Sequence, residues 1–77
     1  MRYGASSKLP SDRVIAKAKT YFGKLGLTVV NEDHASLCME GVGGQVTVNT
    51  SGENQSEVEI VTTTLGSQVK HFLQMIE

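Results

Sequence analysis

Five small groups of residues have the types and spacing to do chemistry. Cys38 and His34 are the only thiol and imidazole near enough in sequence to pair as nucleophile and base. A reactive cysteine needs a positive setting that lowers its pKa. Glu40, two residues on, shares the strand face of Cys38 and opposes ionisation. Glu32, Asp33 and His34 are metal-ligand types in a row, but neighbours on an extended chain point opposite ways and do not converge on one ion. Gly41-Val42-Gly43-Gly44 has the composition of a phosphate loop. Such loops join a strand to a helix N-terminus and carry a Lys-Ser/Thr pair. This one joins two strand-like runs and has no lysine, which makes it a hairpin connection. The expectation is therefore no catalytic residues, no metal, no cofactor and no enzymatic activity.

The other two groups suit binding. Arg13, Lys17, Thr20 and Lys24 recur at helical spacing along one polar face, with Lys19 to the side. Such a stripe can meet an acidic partner, an RNA backbone or anionic lipid, or it can simply be a solvated face. Its helix lacks the tryptophan and leucine-rich reverse side of a membrane-surface helix. Tyr21, Met39, Phe72 and Met75 could border a crevice between helices and sheet, or could fill the core. His71, beside Phe72, has no partner in sequence and is expected at the surface.

These groups need elements to position them. Residues 2–8 form a short strand with Tyr3, Ala5 and Ser7 on one face. Pro10 fits the first turn of a helix, where its missing N–H costs nothing, and Asp12 favours the helix dipole. Val14, Ile15, Ala18, Tyr21, Phe22 and Leu25 then make one apolar stripe, ended by Gly23 or Gly26. Four strands follow: 27–31, 35–40, 45–50 and 56–64, the last expected to be the longest. The turns between them are Glu32–His34, Gly41–Gly44 and Ser51–Asn54. A closing helix starts near Leu65 or Gly66, with Leu65, Val69, Phe72, Leu73 and Ile76 on one stripe.

Alternation gives the sheet two unlike faces. Leu27, Val29, Leu37, Met39, Val46, Val48, Val58 and Ile60 face inward, where both helices must cover them. Thr28, Val30, Cys38, Glu40, Gln45, Thr47, Asn49, Glu57, Glu59, Val61 and Thr63 face outward. That outer face is polar and acidic, as a wet face of an antiparallel sheet commonly is. The fold class is α+β, in the order β-α-β-β-β-β-α, with an antiparallel sheet and two helices packed on one face.

With 77 residues, the expectation is a single domain spanning 1–77. Hydrophobic residues make up 39% and charged residues 19%, which excludes a disordered chain. No apolar run approaches the roughly 18 residues of a membrane span. The opening MRYGASSKLP lacks the apolar stretch of a signal peptide. With Cys38 as the single cysteine, a reducing, cytoplasmic location is expected. There the sequons Asn49-Thr50-Ser51 and Asn54-Gln55-Ser56 are plain polar loop sequence. Net charge is −1, but residues 1–26 carry +5 and residues 27–77 carry −6. That split can mark a binding face, hold the two halves together or keep two faces hydrated.

The element order resembles the TATA-binding-protein-like fold and, in larger form, the helix-grip domain of the START and birch-pollen-allergen superfamily. Lys8-Leu9-Pro10-Ser11-Asp12-Arg13-Val14 is similar to the helix-grip entry into the first helix, where a proline and an acidic residue precede a buried aliphatic one. The chain also resembles short uncharacterised bacterial proteins sharing a Leu-Gly-Leu after the first helix, here Leu25-Gly26-Leu27, and a Gly-Gly hairpin, here Gly43-Gly44. Helix-grip proteins are about twice as long, and their added elements enclose the ligand cavity. TATA-binding domains read DNA with the outer sheet face. Here Glu40, Glu57 and Glu59 disfavour nucleic acid on that face, since phosphate needs positive charge.

Three functions fit these residues. The first is a non-enzymatic interaction module, a homo-oligomer such as a homodimer paired through the edge of strand one. The second is a small apolar-ligand binder using Tyr21, Met39, Phe72 and Met75. The third is nucleic-acid or acidic-partner binding through Arg13, Lys17 and Lys24. No membrane partner is expected.

Overall fold

A computed structural model describes residues 2–52 and 55–76. Glu53 and Asn54, half of the expected Ser51–Asn54 turn, lie outside the described residues.

The apolar stripe after Pro10 folds as α1 (Ser11–Lys24), burying Val14, Ile15, Ala18 and Phe22. Pro10 stands one position before the helix proper, as its N-cap. Its carbonyl accepts from the Arg13 and Val14 N–H groups at 3.0 and 3.1 Å. The helix ends at Gly26, whose φ of +94° is open to glycine at no steric cost. The Leu27 N–H donates to the Phe22 carbonyl and the Gly26 N–H to the Gly23 carbonyl. This pair of bonds is a Schellman motif, and Leu27 turns inward beneath it. Leu25, read as part of the stripe, is 44% exposed because it sits in the cap.

The strands are β1 (Arg2–Ser7), β2 (Thr28–Glu32), β3 (Ser36–Gly41), β4 (Gly44–Ser51) and β5 (Ser56–Thr62), and α2 (Gly66–Ile76) closes the described chain. The order in the sheet is β1-β5-β4-β3-β2, every neighbouring pair antiparallel. The expected fold class holds in full. β1 pairs with β5 inside its own sheet, so strands from the two ends of the sequence lie side by side. At 8 residues β4, not β5, is the longest strand. β5 stops at Thr62 because the Thr62 hydroxyl accepts from the Leu65 N–H and turns the chain into α2. The β3–β4 hairpin closes on Gly41 opposite Gly44, leaving Val42 at its tip. Gly44 has φ +144°, and a Cβ there would collide with Thr64 Oγ1, so this position needs glycine.

Both helices lie on one face of the sheet. α1 packs on β2, β3 and β4, and α2 packs on β1 and β5. Of the eight residues read as inward-facing, seven are buried. Val29 is the exception at 41% exposed, because β2 is the outermost strand on its side. β2 also carries a bulge. Val29 pairs with Met39 and Asn31 with Cys38, so Val30 is an extra residue. The bulge reverses the alternation beyond it. Asn31 shares the outer face with Cys38, and Glu32, opposite Leu37, shares the helix face. Glu32 is thus the last residue of β2 rather than the first of a turn, and it reaches Lys19 of α1 at 2.7 Å.

Among the described residues four polar side chains are buried, and each is satisfied. Ser7 Oγ donates to the Ile76 carbonyl and accepts from the Leu9 N–H. Ser56 Oγ donates to the Leu9 carbonyl, Thr50 Oγ1 to the Ala35 carbonyl and Thr62 Oγ1 to the Gln45 carbonyl. An unmade bond at such a site costs about 1–3 kcal/mol, so Ser7 ties β1 to α2, and Thr50 and Thr62 tie β4 to its neighbours. No described helix is long and apolar enough to cross a membrane.

Candidate functional site

Three surfaces remain once the core is formed. The first is the outer sheet face. Strand register places Arg2, Gly4 and Ser6 of β1 beside Val61, Glu59 and Glu57 of β5, and these beside Thr47, Asn49 and Ser51 of β4. Because Gly4 has no side chain, a trough of about 650 Å³ runs past Ser6, Asn49, Ser51, Glu57 and Glu59. Its carboxylates are partly answered from β1. Ser6 Oγ donates to Glu57 at 2.9 Å, and the Arg2 guanidinium lies 3.8 Å from Glu59. Both pairs are exposed and add little stability.

The second surface is the pair of sheet edges, which differ. β2 is bulged, and its Glu32 is tied to Lys19, two features that blunt an edge against pairing. β1 runs in unbroken register from Arg2 to Ser7, with no bulge and no proline, and with no charged side chain between Tyr3 and Ser7. In an antiparallel edge strand, alternate residues turn their N–H and C=O groups away from the sheet.

The third surface lies between the helices. Lys17, Thr20, Tyr21 and Lys24 of α1 and Met75 of α2 line a groove of about 260 Å³. Half-buried Tyr21 stands in an aromatic group, edge-on to Phe22 at 5.1 Å and 5.6 Å from Phe72. His71 stacks on Tyr21 at 6.1 Å, with ring planes 24° apart. Met75 is 52% exposed. The groove draws from both sets of binding residues read in the sequence. It combines Lys17 and Lys24 with Tyr21 and Met75, whereas Arg13 stands one turn earlier on the same face of α1. Met39 and Phe72 are core residues, 1% and 0% exposed. Truncating a buried phenylalanine costs about 3–5 kcal/mol, a large part of the roughly 4–12 kcal/mol a chain of this size has. His71, expected at the surface with no partner in sequence, has its ring partner in Tyr21 on the other helix, which sequence spacing does not reveal.

The reactive groups stay apart. His34 is exposed in the β2–β3 turn, its Nδ1 2.7 Å from Asp33 Oδ1. Cys38 lies within β3 on the outer face, where Gln45 Nε2 and Thr47 Oγ1 approach its sulfur at 3.6 and 3.8 Å. Asp33 is held below the usual carboxylate range, first by the His34 backbone N–H, then by the His34 ring. Among the described residues no group of three or more His, Cys, Asp or Glu could hold a metal ion.

Fold and surfaces together define a small α+β domain with an open-faced antiparallel sheet and two helices on its reverse. Compared with known proteins, the sequence matches no family model and no curated protein.

Proposed function

We propose that this chain is a non-enzymatic interaction module whose first partner is a second copy of itself, joined through the β1 edge into one continuous sheet. The observation that carries the reading is the contrast between the two edges. β2 is bulged and β1 is not. A regular outer strand, uncharged from Tyr3 to Ser7, is a template for another strand. A twofold axis at that edge would let each β1 serve the other, the usual isologous arrangement of dimers. The likeness in element order to the TATA-binding-protein-like fold supports the same reading, since in that fold two such units join side by side into one curved sheet. Pairing would also place two Gly4 troughs on one surface, giving the dimer a wider polar face for a protein partner.

Sedimentation over a hundredfold concentration range tests this, with a reversible dimer in the micromolar range expected. Two substitutions locate the interface. Of consecutive strand residues, one turns its N–H to the neighbour strand and the next turns it outward. Gly4→Pro and Ala5→Pro therefore differ: one breaks a bond to β5 and destabilises the fold, and the other removes only an outward donor. The variant that keeps the wild-type melting temperature should be monomeric. A wild-type chain that is strictly monomeric at several hundred micromolar sinks the proposal.

A further inference from the structure

We infer that the groove between α1 and α2 binds a small amphipathic anion, with its acidic group at Lys17 and Lys24 and its apolar body against Tyr21 and Met75. This site lies on the helix layer and does not depend on pairing at β1.

Charge is the first support. Among the described residues the ion pairs engage Arg2, Lys19 and His34. Neither Lys17 nor Lys24 is in one. Seven residues of helix separate these two lysines, about 10 Å along the axis, and the groove lining between them holds no carboxylate. Thr20 adds no free hydroxyl proton, since its Oγ1 donates to the Ala16 carbonyl at 3.1 Å. The uncompensated positive charge therefore belongs to the two ammonium groups.

Apolar surface is the second support. Met75 is half exposed, and Tyr21 makes ring contacts with Phe22, His71 and Phe72. A preformed aromatic wall beside a flexible thioether suits a flat or chain-like apolar group. A bare inorganic anion would use only the lysines, and a neutral hydrocarbon only Tyr21 and Met75. A carboxylate, sulfonate or phosphate monoester joined to an apolar body uses both. At about 260 Å³ the groove is below the usual 300–1,000 Å³ of ligand pockets. Dissociation constants on the order of 10⁻⁴ to 10⁻³ M follow for ligands of naphthoate size.

The experiment is amide chemical-shift mapping on the isotope-labelled chain. The probes are anilinonaphthalene sulfonate, its uncharged analogue N-phenylnaphthylamine, naphthoate and decanoate. Shifts are expected at Lys17, Thr20, Tyr21, Lys24 and Met75. Affinity for the anions should exceed that for the uncharged analogue at least tenfold and should fall with salt. The double variant Lys17→Glu/Lys24→Glu, exposed on α1 and so able to fold, should lose at least tenfold for every anion while its melting temperature stays put. Preference for naphthoate would mark an aromatic acid as the natural ligand, and preference for decanoate an acyl chain. Groove amides that do not move, equal binding of the uncharged analogue, or binding untouched by the charge reversal would each overturn the site. So would a short oligoribonucleotide that shifts Arg13, Lys17 and Lys24 at lower concentration than any small anion, which would make the stripe a backbone contact instead.

Discussion

Single side chains decide how this small core is sealed. Ser7 links three segments, since its hydroxyl donates to the Ile76 carbonyl at the end of α2 and accepts from the Leu9 N–H that leads into α1. Ser7→Ala leaves the buried Ile76 carbonyl and the part-buried Leu9 N–H without this partner. A loss of about 1–3 kcal/mol is expected in urea unfolding, against a change within about 0.5 kcal/mol for exposed Ser6→Ala. Equal effects would mean that the Ser7 bonds carry no weight. Asp33 offers a test with pH. Its carboxylate is favoured in the folded chain by the His34 N–H and ring, so its folded pKa lies below the unfolded one. The contribution is therefore present above the usual carboxylate pKa of about 4 and is lost as pH falls through the lower folded value. The stability difference between wild type and Asp33→Asn should be larger near pH ~6 than near pH ~2.5. A difference independent of pH would show that the turn gains nothing from the charge.

At the level of elements, the bulge in β2 is the feature with the widest reach. One extra residue, Val30, carries Glu32 from the outer face to the helix face, where Lys19 meets it. Deleting Val30 closes the bulge without disturbing the pairs Val29–Met39, Asn31–Cys38 and Glu32–Leu37. The deletion should therefore fold, and the straightened edge should acquire the pairing tendency ascribed to β1. Sedimentation would show a concentration-dependent association absent from the Gly4 or Ala5 proline variant alone. A deletion variant that unfolds would mean that the bulge is needed for β2 to reach α1.

For the molecule as a whole, the decisive fact is that β1 pairs with β5. The first and last strands of the described chain meet there, and α2 packs on the same two strands from behind. The result has a radius of gyration of 11.0 Å, close to the ~11.5 Å expected for a folded chain of this length. The charge split of the sequence becomes a division in space only in part, since Arg2 stands beside Glu59 on the outer sheet face and Glu32 beside Lys19 on the helix face. The unpaired lysines of α1 lie on the helix layer, and Glu57 and Glu59 lie on the opposite sheet face. The two proposed surfaces, the β1 edge and the helix groove, are consequently separate and can be tested separately.

Local pattern alone settled a good deal. The helical stripes, the alternation in β4 and β5, and the glycine cap are short-range features. Each is set by residues a turn or a pleat apart, so Val14, Phe22, Val46, Val48, Ile60 and Val69 were legible as core without any knowledge of the fold. What the tertiary structure decided depends on distant neighbours. Val29 alternates correctly yet stands half exposed, because being outermost in a sheet is a property of strand order. The bulge at Val30 follows from pairing with β3, and no local residue announces it. The groove needed both helices in place: Lys17 and Lys24 were legible as a stripe and Tyr21 and Met75 as apolar, but only docking of α2 against α1 sets them around one space. Burial on one face of one element is written in its own period, whereas adjacency between elements is a balance of packing over the whole chain.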